Sequence, residues 1–230
     1  MTRAARRGGR FRWLSCRGMR GGRAAGLWRV ALGALAAAAL SAAARADEVE
    51  CPRGAERRGA APPAGAKQWC ELPDGSQHGP SVAWYPSGQR RAEAHFEKGR
   101  LAGPWRTWYP NGQPSEEATF EADQRVGVLR QWYENGTLSL EQTYRAGRRH
   151  GSSRSWHPNG QLHFAEHYED GLKHGAAVAF YANGQKEAEG EFRRGQFHGT
   201  WVGWYEDGAK RKTAQYLDGQ KQSEQLYPRE

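Results

Sequence analysis

Glycines recur along this chain without a slip: Gly79, Gly103, Gly127, Gly151, Gly175 and Gly199 stand 24 residues apart, and so do Gly88, Gly112, Gly136, Gly160, Gly184 and Gly208. Two unbroken columns over six units mean a repeat architecture, in which each unit packs chiefly on its neighbours. A third, looser column runs through Gly75, Gly99, Gly147, Gly171, Gly195 and Gly219, with Asp123 substituting once.

The residues before the second column read Trp84-Tyr85-Pro86-Ser87-Gly88, Trp108-Tyr109-Pro110-Asn111-Gly112, and so on to Trp204-Tyr205-Glu206-Asp207-Gly208. Asn-Gly and Asp-Gly between aromatic runs are the strongest short-range signal for a β-hairpin, because both residues tolerate positive φ. Each unit is therefore expected to hold two short strands and two turns. Aromatic residues confirm the count. Trp84, Phe96, Trp108, Phe120, Trp132, Tyr144, Trp156, Tyr168, Phe180, Phe192, Trp204 and Tyr216 fall every 12 residues, so each strand carries one. Between turns the residues alternate, with Ala92, Ala94 and Phe96 on one parity and Glu93, His95 and Glu97 on the other, the pattern of a half-buried strand.

The expected fold is all-β: an elongated antiparallel β-meander solenoid of six 24-residue hairpin repeats, about 12 to 14 strands, preceded by a signal-peptide helix. At about 4.8 Å per strand, twelve strands span roughly 55 to 60 Å. A mean hydropathy of -0.93 with 30 glycines is poor material for one large core, which agrees with an extended form. Whether the Trp column and the Phe/Tyr column share a face depends on turn parity, since one residue more or less in a turn flips a strand.

The formal net charge of +9 sits at the front of the chain. Residues 1–46 hold ten of the 34 basic residues and no acid, leaving 24 bases against 25 acids. The body is nearly neutral, so the basic pI gives no reason to expect a nucleic-acid partner. The same stretch has the form of a signal peptide, with basic residues, an apolar run from Val30 to Ala44, and Ala44-Arg45-Ala46 as the cleavage site. Met19 offers a second start that would give an ordinary short basic lead. The apolar run is shorter than the roughly 18 to 20 residues of a spanning helix, so cleavage after Ala46 is expected rather than a permanent anchor. Arg6-Arg7 lies too far upstream for a twin-arginine signal. Export leaves Cys51 and Cys70, and an even pair in an exported chain reads as a disulfide.

The expected organisation is 1–46 signal peptide, 47–67 irregular Ala/Pro/Gly-rich leader, 68–78 half-repeat cap, six repeats over 79–222, and a C-terminal cap or tail over 223–230. The repeats run 79–102, 103–126, 127–150, 151–174, 175–198 and 199–222.

These residues resemble the MORN repeat. The copy from Gly103 through Trp105, Trp108, Tyr109, Asn111, Gly112 and Gln113 to Phe120 and Gly127 carries the pattern best. The 24-residue spacing resembles the bacterial antitoxin-type variant, although an export signal fits poorly with antitoxin pairs, most of which act in the cytoplasm. The resemblance implies an elongated β-sheet used for protein contacts and sometimes for lipid headgroups, and it brings no catalytic residues.

His78, His150, His174 and His198 form one column, but equivalent positions two strands apart lie about 9.6 Å from each other. Two nitrogens on one zinc lie within about 4 Å, so a metal ladder is not expected. His163-Phe164-Ala165-Glu166-His167 has the outer spacing of a zincin helix with its glutamate misplaced, and on a strand its histidines are about 13 Å apart. Glu93, Glu117, Glu141 and Glu189 recur on the polar parity and read as a solvated face. No catalytic residue, metal or cofactor is expected.

The function expected is therefore a non-enzymatic, exported scaffold for protein contacts in the cell envelope, periplasmic or secreted, whose partner is another envelope or secreted protein. Alternatives are a module binding cell-wall glycan or lipid headgroups through the Trp/Tyr columns, or an immunity-type protein by family analogy. The oligomeric state expected is a monomer or an edge-strand dimer.

Overall fold

The computed structural model describes residues 49–229. The signal peptide, its helix and the cleavage site lie outside those residues.

Every element is a strand: β1 (Glu56–Ala60), β2 (Lys67–Glu71), β3 (Gln77–Trp84), β4 (Arg90–Glu97), β5 (Arg100–Leu101), β6 (Gly103–Trp108), β7 (Pro114–Glu121), β8 (Gln124–Trp132), β9 (Leu138–Arg145), β10 (Arg148–Trp156), β11 (Leu162–Glu169), β12 (Leu172–Lys173), β13 (Gly175–Phe180), β14 (Lys186–Arg193), β15 (Gln196–Trp204), β16 (Lys210–Leu217) and β17 (Gln220–Leu226). All pairings are antiparallel and follow chain order, giving one open meander. β5 and β6 both pair with β4, and β12 and β13 both pair with β11, so each couple is one strand interrupted at Ala102 or His174.

Two differences from expectation lie at the ends. The leader over 47–67 is not wholly irregular, because β1 inside it pairs along β2 from Glu56↔Glu71 to Ala60↔Lys67. Its composition hides the strand, whose edge position needs only backbone partners on one side. The tail begins later than expected, since β17 extends to Leu226.

The two turn columns have different geometries. At Tyr109-Pro110-Asn111-Gly112-Gln113 the Gly112 N–H donates to the Tyr109 carbonyl at 2.9 Å and the Tyr109 N–H donates to the Gln113 carbonyl at 2.8 Å. Gly112 has φ +84° while Asn111 keeps a negative φ, so this is a type I turn closed by a glycine bulge, with Pro110 preset for its first central position. The Asn111 side chain caps it by accepting the Gln113 N–H at 3.0 Å. The expectation of positive φ at both residues is corrected here. Apart from its first member, Gly75, which closes a type I turn with a glycine bulge, the looser column has that geometry instead: Lys98-Gly99, Ala146-Gly147, Asp170-Gly171, Arg194-Gly195 and Asp218-Gly219 all have positive φ, as do Ala122-Asp123. These are two-residue type I′ hairpins, as the pairing Glu97↔Arg100 requires.

The boundary glycines do not turn the chain; they bulge the first strand of each repeat. β10 takes four steps from Arg149 to Ser153 where β9 takes two from Tyr144 to Gln142. Gly151 sits in that excess with φ +90°. An excess of two residues keeps parity, so the same residues stay on the same face.

The open question of the aromatic columns is thereby answered. Gly79, Ser81 and Ala83 pair with Phe96, Ala94 and Ala92, which places the Phe/Tyr column on their face. Trp84 follows Ala83 in the strand, and alternation sends the Trp column to the opposite face. The buried residues Ala118, Phe120, Leu129, Tyr168, Ala177, Phe192 and Ala214 all belong to the first, apolar face.

Candidate functional site

The opposite, charged face carries a single row of cross-strand partners: Glu93, Arg106, Glu117, Arg130, Glu141 and Arg154, on six successive strands. Signs alternate at every step. Arg106 and Glu117 approach to 3.5 Å and Arg130 and Glu141 to 2.9 Å, while Arg90 pairs with Glu93. The recurring glutamates are thus part of a self-neutralised ladder, and the arginines that interleave them complete it. Beyond Arg154 the row turns apolar, with Ala165 and Val178.

The type I turns, which lie along one side of the sheet, tie each repeat to the next. Tyr85, Tyr109, Tyr133 and Tyr181 each donate their hydroxyl to the carbonyl of Trp108, Trp132, Trp156 and Trp204 in the following repeat, at 2.7 to 2.9 Å. Asn111, Asn135, Asn159 and Asn183 donate side-chain N–H groups to the carbonyls of Glu134, Pro158, Ala182 and Glu206 in the same way. Trp84 is buried at 3 % exposure, and Trp108, Trp132, Trp156 and Trp204 are half-buried.

The ends are closed by different means. The leader crosses the charged face, where Val49 bonds Gln68 and Cys51 forms a disulfide with Cys70. At the other end Arg229 lies over the Tyr205 ring at 4.3 Å and pairs with Asp207 at 2.8 Å, standing where a further repeat would be.

On the apolar face no helix or second sheet covers the rings among the described residues. Repeats four and five open there into two adjoining hollows that share Phe164, Glu166 and Lys173. Glu166 accepts hydrogen bonds from Lys173 at 2.5 Å and from the Tyr168 hydroxyl at 3.0 Å, and its side chain is 13 % exposed. Arg149 in turn donates to the Tyr168 hydroxyl at 3.0 Å and rests on the ring at 5.1 Å. Burial, with the neighbouring Glu166 charge, pushes the Tyr168 phenol above its usual value, so the hydroxyl keeps the proton it donates. Glu166 is fully engaged, and the cluster holds geometry rather than offering a base.

Two exposed rings border the hollows, Phe164 at 37 % and Phe197 at 41 %. Trp201 forms the far wall, within 5.0 Å of Phe192 and 4.7 Å of Phe197 by ring centroids.

The repeat geometry now stands beside its matches among known proteins. The model described as the MORN repeat variant matches residues 77–98, 101–122, 125–146, 149–170 and 173–194. The chain carries five MORN repeats of the variant type. Each matched MORN unit is one whole hairpin that ends in a type I′ turn, and the units after the first also begin just past one. The hairpin over 199–222 continues the pattern in space, pairing Gly199↔Tyr216 as the MORN units do, although the match does not extend to it. No curated protein matches this MORN chain.

The residues singled out from sequence fall as follows. The turn and boundary glycines all have positive φ. The histidine column lies beside the type I′ turns, with His150 3.8 Å from Asp170, His174 3.6 Å from Glu169 and His198 3.8 Å from Asp218, and with His78 accepting the Lys98 N–H. His163 stacks on His157 at 4.2 Å instead of facing His167. Arg149, Ser153, Glu166, Lys173 and Trp201 were missed. Ser153 and Trp201 are visible in the sequence only by asking where one column changes, since position 81 is Ser, 105 Trp, 129 Leu, 153 Ser, 177 Ala and 201 Trp.

Proposed function

We propose that the chain is a non-enzymatic protein-interaction platform, exported to the cell envelope, whose apolar face receives a segment of a partner protein. The observation that carries this reading is an aromatic sheet face with no covering layer among the described residues, opened into hollows by repeats four and five. MORN repeats are modules that often mediate protein or membrane contacts, which agrees with it. The Cys51–Cys70 disulfide supports an oxidising compartment, and hence the periplasmic or secreted location. The periodic ties between successive type I turns make a rigid support, as a docking platform needs.

The test is site-directed photo-crosslinking with the full chain in its own cells. A benzoylphenylalanine replacing Phe164 on the apolar face is expected to give a discrete protein adduct, and one replacing Val128 on the charged face is not. Equal adducts from both positions, or none from Phe164, would remove the reading. Affinity confined to oligosaccharide or vesicles and lost on truncating Trp108 and Trp132 would replace it with the glycan or lipid alternative.

A further inference from the structure

The hollows arise from a local loss of side-chain volume. On the apolar face one column reads Ser81, Trp105, Leu129, Ser153, Ala177, Trp201 through the six repeats, and the run of two small residues at Ser153 and Ala177 falls between large ones. Trp105 packs edge-on against Phe120, and Leu129 is 5 % exposed, so this column fills repeats two and three. Trp201 fills repeat six, lying where a Cβ on Gly190 would meet its ring at 2.2 Å. Between them stand only Ser153, Ser155, Ala177 and Ala179, beside Ala188. Each ring missing from such a face forfeits burial of apolar area, and two successive repeats without one leave room for a guest side chain.

The polar groups in the first hollow include donors that are free to take an acceptor. Arg149 is exposed, touches Tyr168, and has no carboxylate within ion-pair distance among the described residues. Gln142 is 5 % exposed and lines the same hollow, and its side-chain nitrogen has no hydrogen-bond partner. Ser153 adds a hydroxyl. The one carboxylate, Glu166, is already held by Lys173 and Tyr168. Arg125, Arg149 and Lys173 stand one repeat apart, each against a ring (Phe120, Tyr168, Phe192); Arg125 is paired with Glu116 and Lys173 with Glu166, so Arg149 is the cation of the three with no carboxylate beside it among the described residues.

We infer that the hollow in repeats four and five is a specificity site for an acidic, apolar segment of the partner polypeptide: a carboxylate side chain on Arg149, with Gln142 and Ser153 completing its hydrogen bonds, and a neighbouring apolar side chain over Ser155, Ala177 and Ala179 between Phe164 and Trp201. This rests on the platform reading above and adds the chemistry of the occupant. An exposed guanidinium without an anion, beside a buried amide N–H without a partner, favours a ligand that brings a carboxylate over a neutral isostere that accepts less strongly.

The experiment uses the full chain and a fluorescein-labelled, C-terminally amidated peptide of alternating leucine and glutamate, followed by polarisation. Replacing its glutamates by glutamine is expected to weaken binding about tenfold or more. Arg149→Gln should impose the same loss on the acidic peptide and leave the glutamine peptide unaffected. Ser153→Leu, which fills the hollow, should abolish binding of both, its circular-dichroism melt reporting that the sheet is intact. Arg130→Gln, on the charged face, should change nothing. No binding by wild type, equal binding of the two peptides, or indifference to Arg149→Gln overturns the proposal, as does binding of an N-acetylglucosamine oligomer alone. Photo-adducts at Phe164 that persist under Arg149→Gln would sink the acidic chemistry while leaving the platform standing, whereas absence of adducts sinks both.

Discussion

The Tyr109 hydroxyl donates to the backbone carbonyl of Trp132 across 2.8 Å, joining two residues 23 apart in the chain. Tyr109→Phe removes that bond and strands a part-buried carbonyl, and is expected to cost about 0.5 to 1.5 kcal/mol in urea unfolding. Combined with Tyr181→Phe, three repeats away, the losses should add within about 0.5 kcal/mol. Strong coupling between the two would mean that the ties act through the whole sheet rather than between neighbours.

Gly190 is constrained by a ring. Its φ is not positive, yet an added Cβ would lie 2.2 Å from Trp201. Gly190→Ala is expected to destabilise by about 1 to 3 kcal/mol, because the indole must move from between Phe192 and Phe197. Gly190→Ala combined with Trp201→Ala should lose less than the two changes separately, and strict additivity would show that the indole is not the obstacle.

The Cys51–Cys70 bond closes 19 residues of separation and holds the leader against the charged face. Replacing both cysteines by serine is expected to cost about 3 kcal/mol by loop entropy. Hydrogen exchange should quicken in β1 to β3 and stay unchanged from β9 onward, as nearest-neighbour packing requires. Uniform quickening would contradict that packing.

His163 gives the fold a pH dependence of definite sign. Burial and the adjacent His157 hold its pKa below the ordinary 6.5, with Glu187 opposing them, so the folded state prefers the neutral ring. The stability it contributes is complete above that ordinary value and is lost as the pH falls through the depressed folded value. His163→Gln should therefore lessen the fall in unfolding midpoint between about pH 8 and about pH 5. An unchanged pH profile would assign the dependence to other groups.

Arg130 sits between Glu117 and Glu141 in the charged row. Arg130→Glu sets three carboxylates on adjacent strands and is expected to cost about 1 kcal/mol at low salt, with the cost shrinking at high salt. Adding Glu141→Arg should recover part of it. A cost that ignores salt would point to packing of the arginine stem instead.

The meander, its repeat length and the disulfide were legible because each rests on strict periodicity or simple counting. Asn111-Gly112 misled as to turn type, since the same dipeptide serves both hairpin geometries and only Pro110 hinted at the three-residue loop. Gly151 and its equivalents gave no sign of being mid-strand bulges, because positive φ is needed equally in a turn. The separation of the aromatic columns awaited knowledge of loop lengths and of the parity-keeping excess. The candidate site lay hidden for the opposite reason. Ser153 and Ala177 matter by departing from a column, and a search for what repeats passes over what differs.

Because the tyrosine and asparagine ties reach only to the next hairpin along, excising residues 151–174 would bring Tyr133 to the carbonyl of Phe180, in the place Trp156 now holds, with every other tie intact. The length of this protein is in that sense a free variable, changeable by whole planks without re-engineering any joint that survives. The same excision would take Ser153, Phe164, Glu166 and Lys173 together, so a lineage that shortened the board at that plank would discard its recognition chemistry in one event and keep the scaffold.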